Sequence, residues 1–352
     1  MTFNPKYTIT DKILNNISQI MAGREVIEQS MLIPKWELKL KKEARVQNAH
    51  SSTKIEGNKL TLLQVKELSE HKEIIATEKD KNEVLNYLKA LDSIPQYSSQ
   101  NTIDVKLFLK VHKTITINTL RNSNDCGVFR NRQVFVGRRI FDGTSFKEVV
   151  EYMPPETKVV AKLVNEFLIW LNSEKIKEIN PVILAGITHY EVARIHPFID
   201  GNGRTARLMA SLLLYRSGFD HRRFFALDDY YDQERASYYS ALKTVQENHG
   251  DTTKWLEYFT GGVLFSINKV KDFIIKLGLH PKVEAGELLE LTQKQIKILE
   301  KLKEKGKVSN KDLRAMFDVS RQAILKEINK LAEAKLIELV GKGRNAFYRI
   351  QE

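Results

Sequence analysis

The chain has 352 residues, of which 42% are hydrophobic, enough for the buried cores of two or three domains and too many for a disordered protein. It has no run of 18 or more apolar residues, and residues 1–20 lack the apolar segment of a signal peptide, so we expect a cytoplasmic protein with no membrane partner. The single cysteine, Cys126, excludes an internal disulfide. The net charge is +12, and residues 291–352 carry +7 of it, with 15 basic and 8 acidic residues. That concentration suits either a DNA-binding surface or a solvated lysine-rich one.

Taken in chain order, residues 1–100 form a predicted helical N-terminal region. Within it, Ser52 and Glu56 are four residues apart and therefore share one face of a helix. Gly57-Asn58 directly afterwards is a typical helix end. Taken alone, this pattern indicates only a helix C-terminus with a solvated glutamate.

Residues 101–279 form a second, mostly helical region that one β-hairpin interrupts. The hairpin is predicted within residues 127–137, where the strand-forming sequence Val-Phe-Val lies between turn signals. Apolar residues at helical spacing predict helices over 159–171, 181–195, 204–216, 233–246 and 263–276.

Residues 280–290 are predicted to be a linker, and residues 291–352 a compact C-terminal unit. Three helical patterns in this unit are followed by two apolar runs around a Gly-Lys-Gly turn. The predicted helices cover 293–303, 311–317 and 321–334, and the predicted strands cover 337–340 and 347–350. Three helices and a β-wing are typical of a winged helix, a variant of the helix-turn-helix.

The stretch with the clearest chemistry is residues 196–207, HPFIDGNGRTAR, between two predicted helices. Two glycines in a loop that leads into a helix N-terminus leave backbone N–H groups free for an anion. Arg204 and Arg207 are three residues apart, so one helix face presents both to a polyphosphate. Asp200 offers a hard oxygen ligand for Mg²⁺, and His196 is the natural general base. Each residue alone fits an ordinary surface loop, but together they suit nucleoside triphosphate chemistry.

These residues match the signature of the Fic (filamentation-induced-by-cAMP) family, His-x-Phe-x-Asp/Glu-Gly-Asn-Gly-Arg-x-x-Arg, at every defined position. The chain therefore resembles a protein adenylyltransferase, an enzyme that moves AMP from ATP to a hydroxyl group of a target protein and releases pyrophosphate. The resemblance implies a mainly α fold, with a Fic-type helical core, a short β-hairpin flap and a C-terminal winged helix.

The resemblance also implies a role for each residue of the loop. His196 deprotonates the Tyr, Thr or Ser hydroxyl of the target, and Asp200 holds the cofactor Mg²⁺. Arg204 grips the phosphates of ATP, and Arg207 takes the terminal phosphate. The anion hole is formed by three consecutive residues, Gly201, Asn202 and Gly203.

Further features of the family align with positions outside the loop. The flap, which pairs with a target segment by strand addition, corresponds to Val134, Phe135, Val136 and Gly137. Tyr238 lies where the family contacts the adenine side of the nucleotide. Gln246 lies where relatives often carry asparagine, and this departure puts its role in doubt.

Residues 52–57 match the inhibitory motif of the family, Ser/Thr-x-x-x-Glu-Gly/Asn, through Ser52, Glu56 and Gly57. In relatives the glutamate forms a salt bridge with the last arginine of the catalytic loop, here Arg207, so that ATP binds in an unproductive pose. Because the motif precedes the loop, the resemblance implies the subclass with an N-terminal inhibitory helix, and hence an autoinhibited enzyme.

Alternatives remain open at this point. The winged helix serves either DNA binding, with 321–334 as the recognition helix, or protein contacts. The chain could also be a DNA-binding regulator whose Fic core mainly senses nucleotide, or a Fic enzyme that transfers another nucleotide or removes AMP. Expected partners are ATP, an unknown target protein, the chain itself through auto-AMPylation, DNA through the winged helix, and a second copy in a homodimer.

Overall fold

The computed structural model describes residues 3–30, 32, 34–141, 144–220, 222–276, 292–309, 312–313, 316–317, 321–333, 336–341 and 346–350. Over these residues the protein is mostly helical, as predicted. The chain divides into two compact units, one formed by Met1–Glu28 and Leu40–Phe273 and the other by Gln29–Lys39 and Ile274–Glu352. The first unit therefore contains residues of both the predicted N-terminal region and the predicted core, while the predicted linker at 280–290 lies outside the described residues.

Helices account for most of the described chain up to residue 276. They are α1 Asp11–Gln29, α2 Pro34–Ile55, α3 Leu62–Ser69, α4 Glu78–Asp92, α5 Ile94–Ser98, α6 Val105–Thr116, α7 Val160–Leu171, α8 Pro181–Ile195, α9 Asn202–Arg216, α10 Leu227–Gln233, α11 Arg235–Glu247 and α12 Thr253–Lys276. Short 3-10 helices lie at Ser123–Asp125, Thr157–Val159 and Glu174–Glu178. Among the described residues, none of the helices combines the length and the apolarity that crossing a membrane requires.

Helices α8 and α9 form the centre of the first unit. Every residue of α8 from Val182 to Val192 is buried, and α9 buries most of its residues as well. A helix that is buried around its whole circumference needs neighbours on all sides, and α5, α6 and α7 each pack against one member of the pair. The loop that joins α8 to α9 is therefore held between two rigid, enclosed helices.

The β-hairpin differs from the prediction. Strand β1 covers Val136–Phe141 and pairs antiparallel with β2, Phe146–Tyr152, so the hairpin begins where we expected it to end. We interpreted Gly137 as a turn residue, but it lies inside β1 at a register shift. A Cβ on Gly137 would overlap the carbonyl oxygen of Val149, so glycine is needed here for the close approach of two strands.

The second unit contains helices α13, Gln293–Lys305, and α14, Arg321–Glu333, and strands β3 Val308–Ser309, β4 Ile337–Val340 and β5 Phe347–Ile350. The strands form an antiparallel sheet in the order β3-β5-β4. Buried side chains from both helices and from all three strands make one core, which includes Ile298, Leu302, Val308, Leu313, Ile324, Ile328, Leu331, Ile337 and Tyr348. This arrangement confirms the predicted winged-helix type of unit, and β4 and β5 have the predicted bounds. Of the predicted helix at 311–317, only residues 312–313 and 316–317 are among those described.

Candidate active site

The connection between α8 and α9 has a residue with left-handed backbone conformation at each end, His196 and Gly201. α8 stops at His196, which adopts φ 50° and ψ 58° and donates its backbone N–H to Val192 at 3.1 Å. The following Pro197 disfavours helical geometry at His196, which is one reason for the helix to end there. Gly201 has φ 79° and begins α9, so the chain turns twice within six residues. The free N–H groups at the start of α9 therefore face the loop.

Asn202 closes the loop from within. Its Oδ1 accepts from the Phe198 N–H at 2.9 Å, and its Nδ2 donates to the Phe198 carbonyl at 2.9 Å. Asn202 is 3% exposed. Both ends of its side-chain amide thus bond within the loop, and its backbone N–H is free to contribute to the predicted anion hole.

His112, on α6, supports the loop, a role that no pattern in the sequence indicates. Its Nε2 donates to the Asp200 carbonyl at 2.9 Å, its Nδ1 accepts from the Gly127 N–H at 3.0 Å, and its ring stacks on Phe198 at 3.6 Å. A ring that donates at one nitrogen and accepts at the other is neutral. Burial lowers the pKa of His112 to about 4, which keeps it in that form.

Arg130 ties the start of the loop to the base of the hairpin, a second role that the sequence analysis missed. Its backbone N–H donates to the Pro197 carbonyl and its Nε to the His196 carbonyl, both at 2.9 Å. Its guanidinium also donates to Thr157 Oγ1 at 2.8 Å and to the Pro155 carbonyl. Arg130 is 3% exposed, so it acts as a buried clamp on the backbone of His196.

The His196 ring is oriented for proton abstraction. Its Nδ1 lies 3.2 Å from the Ala193 carbonyl, an oxygen that can only accept. The proton is therefore on Nδ1, and the lone pair on Nε2 is available. Burial lowers the pKa of His196, so the ring is neutral at pH 7. A neutral imidazole with a free Nε2 is the form that a general base requires.

Arg204 and Arg207 are both buried and both retain unused donors. Arg204 reaches Asp200 at 3.4 Å and Glu83 at 3.7 Å, but its Nε and Nη1 lack a hydrogen-bond partner among the described residues. Nη1 of Arg207 is likewise buried and unpartnered there. Unsatisfied guanidinium donors beside a helix N-terminus are the features expected of an anion site.

The predicted inhibitory residues lie against Arg207. Its Nε donates to Ser52 Oγ at 2.8 Å, and its Nη2 donates to the Ser52 carbonyl at 2.9 Å and to Glu56 Oε1 at 2.8 Å. Burial opposes the charge of Arg207, but Glu56 and Asp228 outweigh it and raise the pKa of Arg207 above its ordinary value. The guanidinium is thus fixed by the end of α2.

Glu56 occupies the space directly over the second glycine of the loop. A Cβ on Gly203 would overlap Oε1 of Glu56, so glycine leaves room for the carboxylate in this position. Glu56 follows the last residue of α2, and Gly57 reverses the chain with φ 96°. The carboxylate therefore lies where an anion bound at the start of α9 would contact Arg207.

The end of α2 is held by contacts beyond Ser52 and Glu56. Arg235 donates to the Ile55 carbonyl at 2.5 Å, and Lys54 pairs with Asp232 at 2.8 Å. These partners lie at the α10–α11 turn, so the inhibitory segment is docked on elements next to the candidate nucleotide site.

The α11 residues differ in how they could reach a ligand. Tyr238 is 2% exposed, and its hydroxyl bonds to Nε2 of the buried His189 at 2.9 Å, so it is a core residue in this structure. Its neighbour Tyr239 is 39% exposed and stacks under Arg235, with ring centroid and guanidinium 5.9 Å apart. Gln246 is exposed and lies about 12 Å from Tyr238 along the same helix.

The remaining predicted residues lie at the entrance of the site. The Asp200 side chain is 49% exposed and bends back to Arg204. Val134 and Phe135 precede β1, and Val136 and Gly137 begin it. The base of the hairpin, where Tyr152 pairs with Val136, is anchored because the Tyr152 hydroxyl donates to the Arg194 carbonyl at 2.6 Å, near the end of α8. Arg130 and Tyr152 therefore both hold the base of the hairpin at the start of the loop.

Comparison with known proteins agrees with this geometry. Residues 102–214 match the Fic/DOC family, and residues 294–349 match a helix-turn-helix (HTH) domain. The chain therefore contains a Fic/DOC domain that includes the loop, followed by a helix-turn-helix domain, and these two parts of the resemblance drawn from the sequence are confirmed.

Named relatives match this chain over more residues than these two domains contain. The "Protein adenylyltransferase Fic" of Drosophila erecta is 34% identical over 221 residues, and that of Drosophila melanogaster is 33% identical; each match covers 62% of this chain and 40% of the relative. The chain thus spans two fifths of the curated relatives that it matches.

Solved structures share the fold. A Fic family protein from Desulfovibrio desulfuricans is 23% identical with a TM-score of 0.65, and the match covers 99% of this chain and 98% of that one. A variant of Fic-1 from C. elegans is 25% identical with a TM-score of 0.62, covering 75% and 73%.

Proposed function

We propose that this protein is an autoinhibited protein adenylyltransferase. The observation that carries the proposal is the convergence of three groups at one helix N-terminus: a neutral His196 with Nε2 free, and two buried arginines, Arg204 and Arg207, with unused donors. The names of the relatives, which are adenylyltransferases, support AMP as the group transferred.

In the proposed reaction, a Tyr, Thr or Ser hydroxyl of the target attacks the α-phosphorus of ATP. Its proton passes to Nε2 of His196, a bond forms between the hydroxyl oxygen and the α-phosphorus, and the bond from the α-phosphorus to the bridging oxygen breaks. Pyrophosphate leaves with the bonding pair. The N–H groups at Gly201–Gly203 and the donors of Arg204 and Arg207 stabilise the charge on the phosphates.

The residues present suit Mg²⁺ bound mainly through phosphate oxygens. Among the described residues, no cluster of three or more His, Cys, Asp or Glu side chains could hold a metal alone. Asp200 is a single exposed carboxylate next to Arg204, which matches the preference of Mg²⁺ for one or two carboxylates together with phosphate. When bound there, the ion would neutralise phosphate charge.

The inhibition that we propose is direct competition for Arg207. While Glu56 accepts from Nη2, the guanidinium is committed, and the carboxylate also repels a terminal phosphate. ATP then binds without its terminal phosphate on Arg207 and is misaligned for attack. The chain's own hydroxyls are substrates in auto-AMPylation once Glu56 is removed.

Two related chemistries, transfer of another nucleotide and removal of AMP, use the same phosphate contacts. The loop cannot distinguish them because its contacts are to phosphates rather than to a base. The test is to incubate the Glu56→Gly variant with ATP, GTP, CTP and UTP, each with Mg²⁺, and to identify modified peptides by mass spectrometry. Addition of AMP, and only from ATP, is expected. Modification from UTP instead, or removal of AMP from a modified peptide without transfer, would contradict the proposal.

A second function, DNA binding, is supported by the helix-turn-helix match at residues 294–349. Helix α14 carries Lys326 and Lys330, with the acidic Glu327 and Glu333 beside them. Lys342 and Arg344, in the predicted turn between β4 and β5, lie outside the described residues. A mobility shift that weakens steeply with salt is expected for DNA binding, and no shift even at low salt would reject it.

A further inference from the structure

Arg207 has a second carboxylate partner, which the proposed function does not use. Asp228, in the first turn of α10, lies with Oδ2 at 4.0 Å from Nε of Arg207. The Tyr87 hydroxyl donates to the same Oδ2 at 2.8 Å. The Ser52 hydroxyl accepts from Nε of Arg207 at 2.8 Å, and it favours the charged form of Asp228. Arg207, Ser52, Asp228 and Tyr87 therefore form one continuous buried network.

The hydroxyl at position 52 has a specific task in this network. It accepts from the Arg207 Nε at 2.8 Å and keeps its own proton, which can favour the negative charge of Asp228. A hydroxyl therefore suits the first position of the predicted inhibitory motif. It also links the inhibitory helix to a residue that lies outside the motif.

The two carboxylates differ in their freedom to leave. The Glu56 side chain is 29% exposed and lies just beyond the end of α2, whereas the Asp228 side chain is 2% exposed and fixed by Tyr87. The Asp228 backbone N–H also donates to Asn48 Oδ1 at 3.2 Å. Glu56 can therefore withdraw into solvent, while Asp228 has no such route.

Withdrawal of Glu56 poses an electrostatic problem. Arg207 is 1% exposed, and a buried guanidinium without a counter-ion is strongly destabilising. Burial raises the pKa of Asp228, but Arg207 and the Tyr87 and Ser52 hydroxyls oppose that shift and favour the carboxylate. The fold thus holds a second negative group against the side of Arg207 that does not face Glu56.

We infer that Asp228 is a positioning residue: the permanent counter-ion that keeps Arg207 buried and aimed at the loop when Glu56 withdraws. Its effect on ATP binding rests on the proposed function, whereas its effect on the stability of the fold does not. Two carboxylates then share one arginine, with Glu56 as the exchangeable partner and Asp228 as the fixed one.

The test is a double-mutant cycle on the full chain. Asp228→Asn is made in the parent and in the Glu56→Gly variant, and thermal midpoints and the affinities for ATP and AMP are measured. The matched control is Asp229→Asn. Asp229 is the next residue and is 4% exposed, but it bonds to Gln47 and Lys269 at 2.8 Å.

We expect Asp228→Asn to lower the midpoint at least about twice as far in the Glu56→Gly variant as in the parent, because only there does Arg207 lose its last carboxylate. In the Glu56→Gly background we expect ATP affinity to fall about tenfold or more and AMP affinity to change less than about twofold, since Arg207 contacts the terminal phosphate. Asp229→Asn should shift both backgrounds equally and leave the ATP-to-AMP ratio unchanged.

Equal shifts of the midpoint in both backgrounds would overturn the inference, as would a parallel loss of ATP and AMP affinity. If the Glu56→Gly variant itself binds no ATP, the proposed function fails, and the midpoints alone decide the inference. If Asp228→Asn does not fold, Tyr87→Phe takes its place. It removes one hydroxyl donor to Asp228 and should produce a smaller effect with the same dependence on the background.

Discussion

Glu56 and Arg207 lie 151 positions apart in the chain, and their side chains meet at 2.8 Å. The contact joins the end of α2 to the first turns of α9. Arg207 also holds both polar oxygens of Ser52, so the motif contacts it three times. The arginine that we propose to hold the terminal phosphate of ATP is therefore already paired with the end of α2 in this structure.

Loosening the end of α2 should activate the enzyme slightly. Lys54 pairs with Asp232 at 2.8 Å, but it is half exposed, and such a salt bridge contributes at most about 1 kcal/mol. We expect Lys54→Ala to raise the auto-AMPylation rate by no more than about fivefold. Lys42→Ala, which breaks an exposed bridge to Glu70 earlier on α2, is the control and should leave the rate unchanged. Equal activation by both variants would contradict a specific effect at the inhibitory segment.

Arg130 should affect the rate of transfer more than ATP binding. It clamps the His196 carbonyl and contacts no group assigned to the phosphates. In the Glu56→Gly background we expect Arg130→Gln to lower kcat by about tenfold or more, with KM for ATP within about threefold. The control, Arg132→Gln, removes an exposed bridge to Asp125 and should change neither value. A rise in KM without a fall in kcat would show that Arg130 serves binding instead.

The pH profile should report the environment of His196. Because burial lowers the pKa of His196, the ring stays neutral at a pH where an ordinary histidine is half protonated. We expect the Glu56→Gly variant to retain more than half of its pH 8 rate at pH 6.5, and to lose activity only below that. Single-turnover rates from pH 5 to 8 measure this. An acid limb centred above 6.5 would show that His196 is not the buried base described above.

His112 should make the stability of the fold depend on pH. Its pKa is about 4 in the folded protein, so between pH 4 and 6.5 the unfolded chain binds more protons. Stability from this group, about 3 kcal/mol, is present above pH 6.5 and is lost as the pH falls towards 4. Urea midpoints of the parent should therefore drop toward those of His112→Gln as the pH is lowered from 7.5 to 4.5. A constant difference between the urea midpoints of the parent and of His112→Gln over this pH range would refute the prediction.

The fold was predictable where local patterns decide it. Pro181 with Asn180 marks the start of α8, and the apolar runs of the C-terminal unit coincide with β4 and β5. The hairpin is present as predicted, but its predicted bounds were wrong because we interpreted Gly137 as a turn residue. A glycine signals a turn, but here it allows a close approach of Val149, which lies twelve residues further along the chain.

The candidate site, like the fold, was predictable only where its residues are close together in the sequence. The loop from His196 to Arg207 is contiguous, so its chemistry was visible in the sequence. Arg130, His112 and Asp228 act on it from other elements, and no spacing in the sequence links them to it. Tyr238 was assigned by resemblance, but its burial depends on packing around His189, which a single sequence does not encode locally.

If Glu56 restrains a competent enzyme, its removal should release AMP transfer that still depends on His196. The rate of AMP incorporation from labelled ATP is compared among the parent, Glu56→Gly, and Glu56→Gly combined with His196→Ala. We predict that Glu56→Gly raises the rate at least about tenfold and that the added His196→Ala change abolishes it. A Glu56→Gly protein that binds ATP but transfers no AMP would contradict the account, and so would transfer that persists without His196.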